Sequence, residues 1–371
     1  MGCVVLLLLS SCVSVSYSHQ RLKSRRFLSS PSGMDATRPE EYSGYGDRFK
    51  NVQSLYGNGS GERLRLSHVC IIGLGGVGSW AAEALARSGV SNFTIIDVDD
   101  VCVSNINRQI YTSNHIGQLK AEVLKDKILE INPRSNVNLR LDFVRKENVD
   151  KHVDLLHNFD VVLECADSVS DKAAIIDACV RKEIPVITTG GVGGLTDPTL
   201  LRISDLTKAE GDNLLKRVRT MLRQNYGYPK VPEGKKGIKP PKKKPWNILS
   251  VHTLPTGITR GLPICSSATD ASSSSSSERT SRSEGGFRVC DTKLGNACFT
   301  TGTAGFIMAS EATKMIATGQ YSYPSVHIVE NEKSRSYKQK MQRSESGSER
   351  EAEGTIDSNR NLDDIGILMD F

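Results

Sequence analysis

The sequence predicts an α/β domain with a doubly wound, Rossmann-like parallel sheet, and three observations carry that prediction. An apolar run from His68 to Gly73 ends in Gly73-Leu74-Gly75-Gly76-Val77-Gly78 and continues with helical spacing from Ser79 to Ser88. A second run, Phe93 to Val98, sets Asp97 at its carboxyl end, about 20 residues past the glycines. Another, Phe159 to Cys165, ends in Ala166-Asp167-Ser168 ahead of a helical stretch from Val169 to Lys182. Strand, turn and helix in alternation is the pattern of parallel βαβ units.

Each element suggests a chemistry. Glycines let the backbone approach a phosphate closely, and the helix behind them offers free N–H groups and partial positive charge. Asp97 stands where a carboxylate reaches a ribose hydroxyl. A nicotinamide-dependent dehydrogenase would show the same features, so the next residues decide more. Val98-Asp99-Asp100-Val101 leads to Ser104-Asn105-Ile106-Asn107-Arg108-Gln109, and Gly117-Gln118-Leu119-Lys120 opens a helix running to about Ile131. Hydride transfer has no need of Arg108 and Lys120 beside a phosphate loop, whereas substitution at an α-phosphate needs cations that offset charge as pyrophosphate leaves. Asp167, at a strand's carboxyl end, faces the same crevice and suits Mg²⁺, which keeps most of its waters. The plainer role for Asp167 is to cap the helix from Val169, and the two roles are compatible.

The remaining composition bounds the class. A hydrophobic content of 38% in 371 residues excludes a polytopic membrane protein, a collagen, a coiled coil and a small disulfide scaffold. Nine cysteines without a C-x-x-C pair support neither a zinc knuckle nor a thioredoxin-type motif; Cys70 and Cys165 sit in strand-like runs as small hydrophobes. Residues 1–44 read as a targeting segment, with a short apolar core from Val4 to Leu9 and a basic, Ser-rich stretch from Arg21 to Ser32. Delivery to an organelle, mitochondrion or plastid, is the expectation, with no stable membrane span beyond that segment; the alternatives are membrane association through the apolar run and, with a start at Met34, a cytoplasmic chain. The folded domain is expected over 45–332, interrupted by a basic loop at 216–245 and a Ser-rich insertion at 266–286, with a disordered tail at 333–371.

The basic loop is the densest charge in the chain. Lys216 to Lys244 holds eleven Lys or Arg against one acid, Glu233. Arg219, Arg223, Lys235, Lys236, Lys242, Lys243 and Lys244 are the candidate nucleic-acid contacts, since neutralised phosphates release counterions. Tyr226 and Tyr228 among them suit stacking on an unpaired base. A solvated basic loop is the plainer reading.

Taken together, GLGGVGSWAAEALARSGV, IIDVDDVCVSNINRQIY, GQLKAEV, ECADSV and VITTGGVGG resemble the ThiF-type and ubiquitin-activating-like adenylating enzymes, and within them the tRNA threonylcarbamoyladenosine dehydratases. The likeness runs from about Tyr45 to Thr318. It implies that ATP lies over Gly73, Gly75, Gly76 and Gly78, with Asp97 toward the ribose and Asp99 also in the nucleotide site. Asn105, Arg108 and Lys120 would meet the phosphates, and Asp167 would hold Mg²⁺. It implies a homodimer in which Arg48 enters the partner's site, tRNA as substrate, and a possible sulfur-transfer partner. Two alternatives stay open: activation of a ubiquitin-like or sulfur-carrier protein, and a non-catalytic nucleotide- or RNA-binding scaffold. The chain departs from the pattern at Trp246 to Thr253, where bacterial relatives place a cysteine and a glutamate that are missing here. Cys298, ahead of a small-residue helix from Thr301 to Ala317, is read as a packing residue.

Overall fold

The computed structural model describes residues 44–149, 159–209, 211–230, 244–254, 295–326, 328–329, 332–337 and 339–340. Residues 1–43, where a targeting segment is expected, the Ser-rich insertion and the chain beyond residue 340 lie outside the described residues. Seven strands form one sheet in the order β3-β2-β1-β4-β5-β7-β6. They are β1 (His68–Ile72), β2 (Asn92–Ile96), β3 (Asn136–Arg140), β4 (Val161–Glu164), β5 (Val186–Thr189), β6 (Leu201–Asp205) and β7 (Leu249–Thr253). All neighbours run parallel except the β6–β7 edge, which is antiparallel. The expected doubly wound sheet is present, and its order changes direction between β1 and β4.

Strand composition explains the layering. In β1, Val69 and Ile71 join one core while Cys70 and Ile72 join the other. Apolar residues on both faces of a strand require helices on both faces of the sheet. On the first face lie α3 (Gly78–Arg87), α4 (Lys120–Ile131) and the closing helix α7 (Cys298–Thr318); on the second lie α5 (Val169–Arg181) and α6 (Asn213–Asn225). Ahead of the sheet come α1 (Tyr45–Tyr56) and α2 (Ser60–Leu66), and Arg63 donates from Nε to the Ala317 carbonyl at 2.7 Å, tying α2 to the end of α7. Helices α3 and α7 pack closely because α7 presents glycines: a Cβ on Gly305 would stand 2.6 Å from the Val77 carbonyl oxygen.

The folded chain extends past the expected boundary at 332. Residues 332–337 are helical, Ser334 is fully buried, and the Tyr337 ring packs at 5.4 Å on Tyr226. The cause is the apolar surface of Tyr226, which needs a cover the polar composition of this stretch does not announce.

One buried ion pair ties the second face to the sheet. Lys172 Nζ of α5 lies 2.6 Å from Glu164 Oε2 at the end of β4, both side chains wholly buried. Thr188 donates to the same oxygen at 2.6 Å, and the Ala166 N–H donates to Oε1 at 2.9 Å. Removing one partner of such a pair strands a charge, whereas removing both need not. Lys172→Met is expected to cost about 3–5 kcal/mol in urea unfolding, and Glu164→Leu added to it to recover part of that loss. His68 titrates by the same logic: burial against Phe159 drives its pKa from 6.5 down to about 4. The unfolded chain therefore takes up this proton first, so stability present above pH 6.5 falls as pH drops towards 4. NMR titration of the His68 ring should show a midpoint near 4.

Candidate active site

The glycine loop crosses from β1 into α3 at a place where side chains do not fit. Gly73 has φ +89°, and a Cβ there would stand 2.9 Å from the Cys165 carbonyl oxygen. A Cβ on Gly78 would overlap the Gly73 carbonyl, and one on Gly76 would come within 3.0 Å of the Thr301 methyl. Gly75 has open space, meeting only Gln109 at 3.8 Å. The backbone thus presents a bare turn ahead of α3, the form that admits a phosphate.

Asp97 clamps this loop from β2. Its Oδ2 accepts from the Leu74 N–H at 2.6 Å and its Oδ1 from the Asp99 N–H at 2.8 Å. Burial raises the pKa of its carboxyl, while Lys120 and the two backbone donors pull it back down. Lys120, the first residue of α4, lies 3.0 Å from Asp99 Oδ2, its side chain 7% exposed against 47% for Asp99. A nearly buried ammonium whose carboxylate partner is half in water can exchange that partner for a phosphate. The Lys120 N–H also donates to the Asp99 carbonyl at 3.0 Å, which fixes the helix start beside the loop.

The segment Ser104 to Gln109 folds back over the glycines. Asn105 is buried, and its amide oxygen has no partner among the described residues; the same holds for Gln109 Oε1. Unpaired buried amides are costly unless a ligand completes them. Arg108 is anchored through its main chain: its carbonyl accepts from Trp80 Nε1 at 3.1 Å and from Thr301 Oγ1 at 2.9 Å. Its guanidinium is partly exposed and donates to the Ser104 carbonyl at 2.5 Å and to Asn107 Oδ1 at 3.1 Å, neutral acceptors that an anion can displace.

Asp167 is exposed two residues past Cys165, the residue that Gly73 abuts, so it borders the same crevice. It is not the helix cap: Ser168 is, accepting from the Asp171 N–H at 3.4 Å. Its carboxylate is therefore left for another partner. Among the described residues no three His, Cys, Asp or Glu converge.

Other expected residues lie elsewhere. Arg48 donates to the Ile131 carbonyl at 2.8 Å, capping the end of α4 remote from Lys120, about 16 Å along a helix of this length. Within its own chain it does not serve the crevice. Arg219 corrects the nucleic-acid set: it is buried, with Nη1 donating to the Leu206 carbonyl at 3.3 Å and to that of Ala209, because its position on α6 faces the core. Arg223 is half-buried over the Trp246 ring, 5.7 Å from its centroid. Tyr226 and Tyr228 are buried too, Tyr228 against Trp246 at 5.0 Å, so neither is a stacking platform. Lys244 is exposed; Lys235, Lys236, Lys242 and Lys243 lie outside the described residues. Cys298 is exposed on the first turn of α7 and does not pack. Cys165 instead turns its thiol inward to Met308, and burial pushes that thiol up to about 12.

Three contributors go beyond the residues expected from sequence. Gln109 is within reach of sequence reasoning, being the last residue of the Ser104–Gln109 motif. Trp80 and Thr301 hold Arg108 from α3 and α7, and Thr301 is 193 residues away, so no local pattern shows it.

Known proteins resemble this chain in sequence and in fold. The ThiF family model matches residues 49–350. The chain is 38% identical over 269 residues to the tRNA threonylcarbamoyladenosine dehydratase of Escherichia coli, covering 72% of this chain and 92% of that protein. It is 46% identical over 195 residues to the enzyme of the same name from Haemophilus influenzae, covering 52% and 74%. The crystal structure of the E. coli dehydratase in complex with ATP aligns with TM-score 0.57 at 34% identity, over 74% of this chain and 95% of that one.

Replacing Lys120 by Met keeps the length of the side chain and removes its charge. Nucleotide affinity, read by titration calorimetry, is expected to fall roughly 10- to 100-fold, the worth of a charge-assisted hydrogen bond. Unchanged affinity would remove Lys120 from the site.

Proposed function

This chain belongs to the ThiF family, and on that premise we propose that it uses ATP to dehydrate threonylcarbamoyladenosine in tRNA to its cyclic form through an acyl-adenylate. The observation that carries the reading is the placement of Lys120 and Arg108 around a glycine loop with no room for a Cβ at Gly73 or Gly78. The substrate carboxylate attacks the α-phosphorus, the bond to pyrophosphate breaks, and both cations offset the charge that accumulates as it leaves. Lys120 trades Asp99 for phosphate oxygens, and Arg108 releases the Ser104 carbonyl to do the same. In the second step the substrate's own ureido group closes on the activated carboxyl carbon and AMP departs with the carboxyl oxygen it took. Because that nucleophile is tethered, effective molarity replaces capture by an enzyme thiolate, and the inward-turned Cys165 has no part.

Asp167 would hold Mg²⁺ through its exposed carboxylate, waters and substrate phosphates completing the shell. Bound there, the ion would supply positive charge beside the substrate phosphates. We assign Arg48 to the site of a second copy in a homodimer, where its exposed hydrogen bond to the Ile131 carbonyl would be exchanged for a phosphate. The N-terminal segment supports delivery to an organelle, and a sulfur-transfer partner would be a separate protein.

Mass spectrometry of tRNA nucleosides after incubation with enzyme, ATP and Mg²⁺ should show loss of one water from threonylcarbamoyladenosine. Arg108→Ala should slow that conversion about 10²- to 10³-fold, as loss of one preorganised donor does. ATP consumption driven by a carrier protein and indifferent to tRNA would overturn the reading.

A further inference from the structure

Between the first turn of α5 and α6 runs a groove of about 870 Å³ whose lining includes Asp167. Val169 and Met221 give it apolar surface, Ser170 a hydroxyl, and Lys216 and Arg217 two cations along the α6 side. Helical spacing makes the arrangement specific. Leu215, Val218, Arg219 and Leu222 turn into the core, while Lys216 and Arg217 are exposed into the groove. Their charge is therefore directed at whatever the groove holds.

A groove of this size that is more open than enclosed suits a strand lying across it rather than a small molecule held inside. The chemistry narrows it further. Apolar surface beside paired cations suits a base with its flanking phosphates. A carrier-protein tail would bring one terminal carboxylate to two cations. We infer that this groove seats unpaired nucleotides of the acceptor RNA, with Lys216 and Arg217 on their phosphates and a base against Val169 and Met221. The strand is thereby led past Asp167 to the crevice where the carboxylate is activated. This inference rests on the proposed function and gives it an entry path that the buried Arg219 and the buried tyrosines do not supply.

The test is binding of tRNA to the full-length protein by fluorescence anisotropy across a salt series. Lys216→Glu with Arg217→Glu should weaken binding at least about tenfold and make the log–log salt slope shallower by about 1.4, roughly 0.7 for each single-strand phosphate no longer neutralised. Lys216→Gln with Arg217→Gln should fall between it and the wild type, and ATP affinity should not change in either. Both residues are exposed, so melting temperatures should match. Lys314→Glu, on α7, should bind as the wild type does. Intact tRNA binding in the double glutamate variant overturns the groove and leaves the proposed reaction standing. A wild-type protein that ignores tRNA while consuming ATP overturns both.

Discussion

The carboxyl edge of this sheet is organised by how tightly the chain crosses itself at Gly73 and Gly78. Gly73 leaves β1 donating to Ile96 of β2 at 2.9 Å, while Cys165 at the end of β4 donates back to Ile72 at 2.8 Å. Between these bonds the glycine loop lies directly on the Cys165 carbonyl, with no room for a Cβ. One consequence is electrostatic: the free N–H groups at the start of α3 open onto the crevice bordered by Asp167. Another is mechanical. Asp97 reaches the loop only because β2 ends level with it, and Thr301 reaches Arg108 only because α7 lies close on α3. A larger residue at either of these glycines would separate parts that work by proximity.

Two lysines near helix starts show how one kind of ion pair serves different ends. A cation in the first turn opposes the helix dipole, so each needs a carboxylate, from a strand end for Lys172 and from the loop after β2 for Lys120. Lys172 has Glu164, whose other contacts are Thr188 and the Ala166 N–H. Both charges are wholly buried, so exchanging either partner strands the other. Lys120 has Asp99, which is half in water and can relax into solvent when a phosphate takes its place. The first pair holds α5 on the sheet, and the second is available for chemistry.

Much of this is legible in the sequence because it is local. The strand–glycine–helix unit, the carboxylate ending β2 and the residues from Ser104 to Gln109 are contiguous, and geometry over a few residues follows from residue type. The parts that sequence does not show are long-range or depend on which way a side chain turns. Nothing near Thr301 announces that its hydroxyl supports Arg108, and nothing in Glu164 or Lys172 announces that they meet inside. Asp167 is legible as a strand-end carboxylate, yet the capping role that its position also suggests belongs to its neighbour Ser168. The tail beyond Lys333 has the composition of a chain too polar to pack, but one aromatic, Tyr337, closes over Tyr226.

The basic stretch is where counting charges misleads most, and the reason is the period of a helix. Along α6 the same residue type falls on opposite sides: Arg219 turns inward to satisfy the carbonyls of Leu206 and Ala209, while Arg217, two positions earlier, faces solvent. A guanidinium that closes off buried carbonyls adds stability and cannot also neutralise a phosphate. The tyrosines divide by burial in the same way, since a ring packed on Trp246 or Tyr337 has no face left for a base. The cations that remain exposed on α6 are those bordering the groove at Asp167. The exposed charge on α6 is thus a short track set by the helix period, lining the same groove as Asp167.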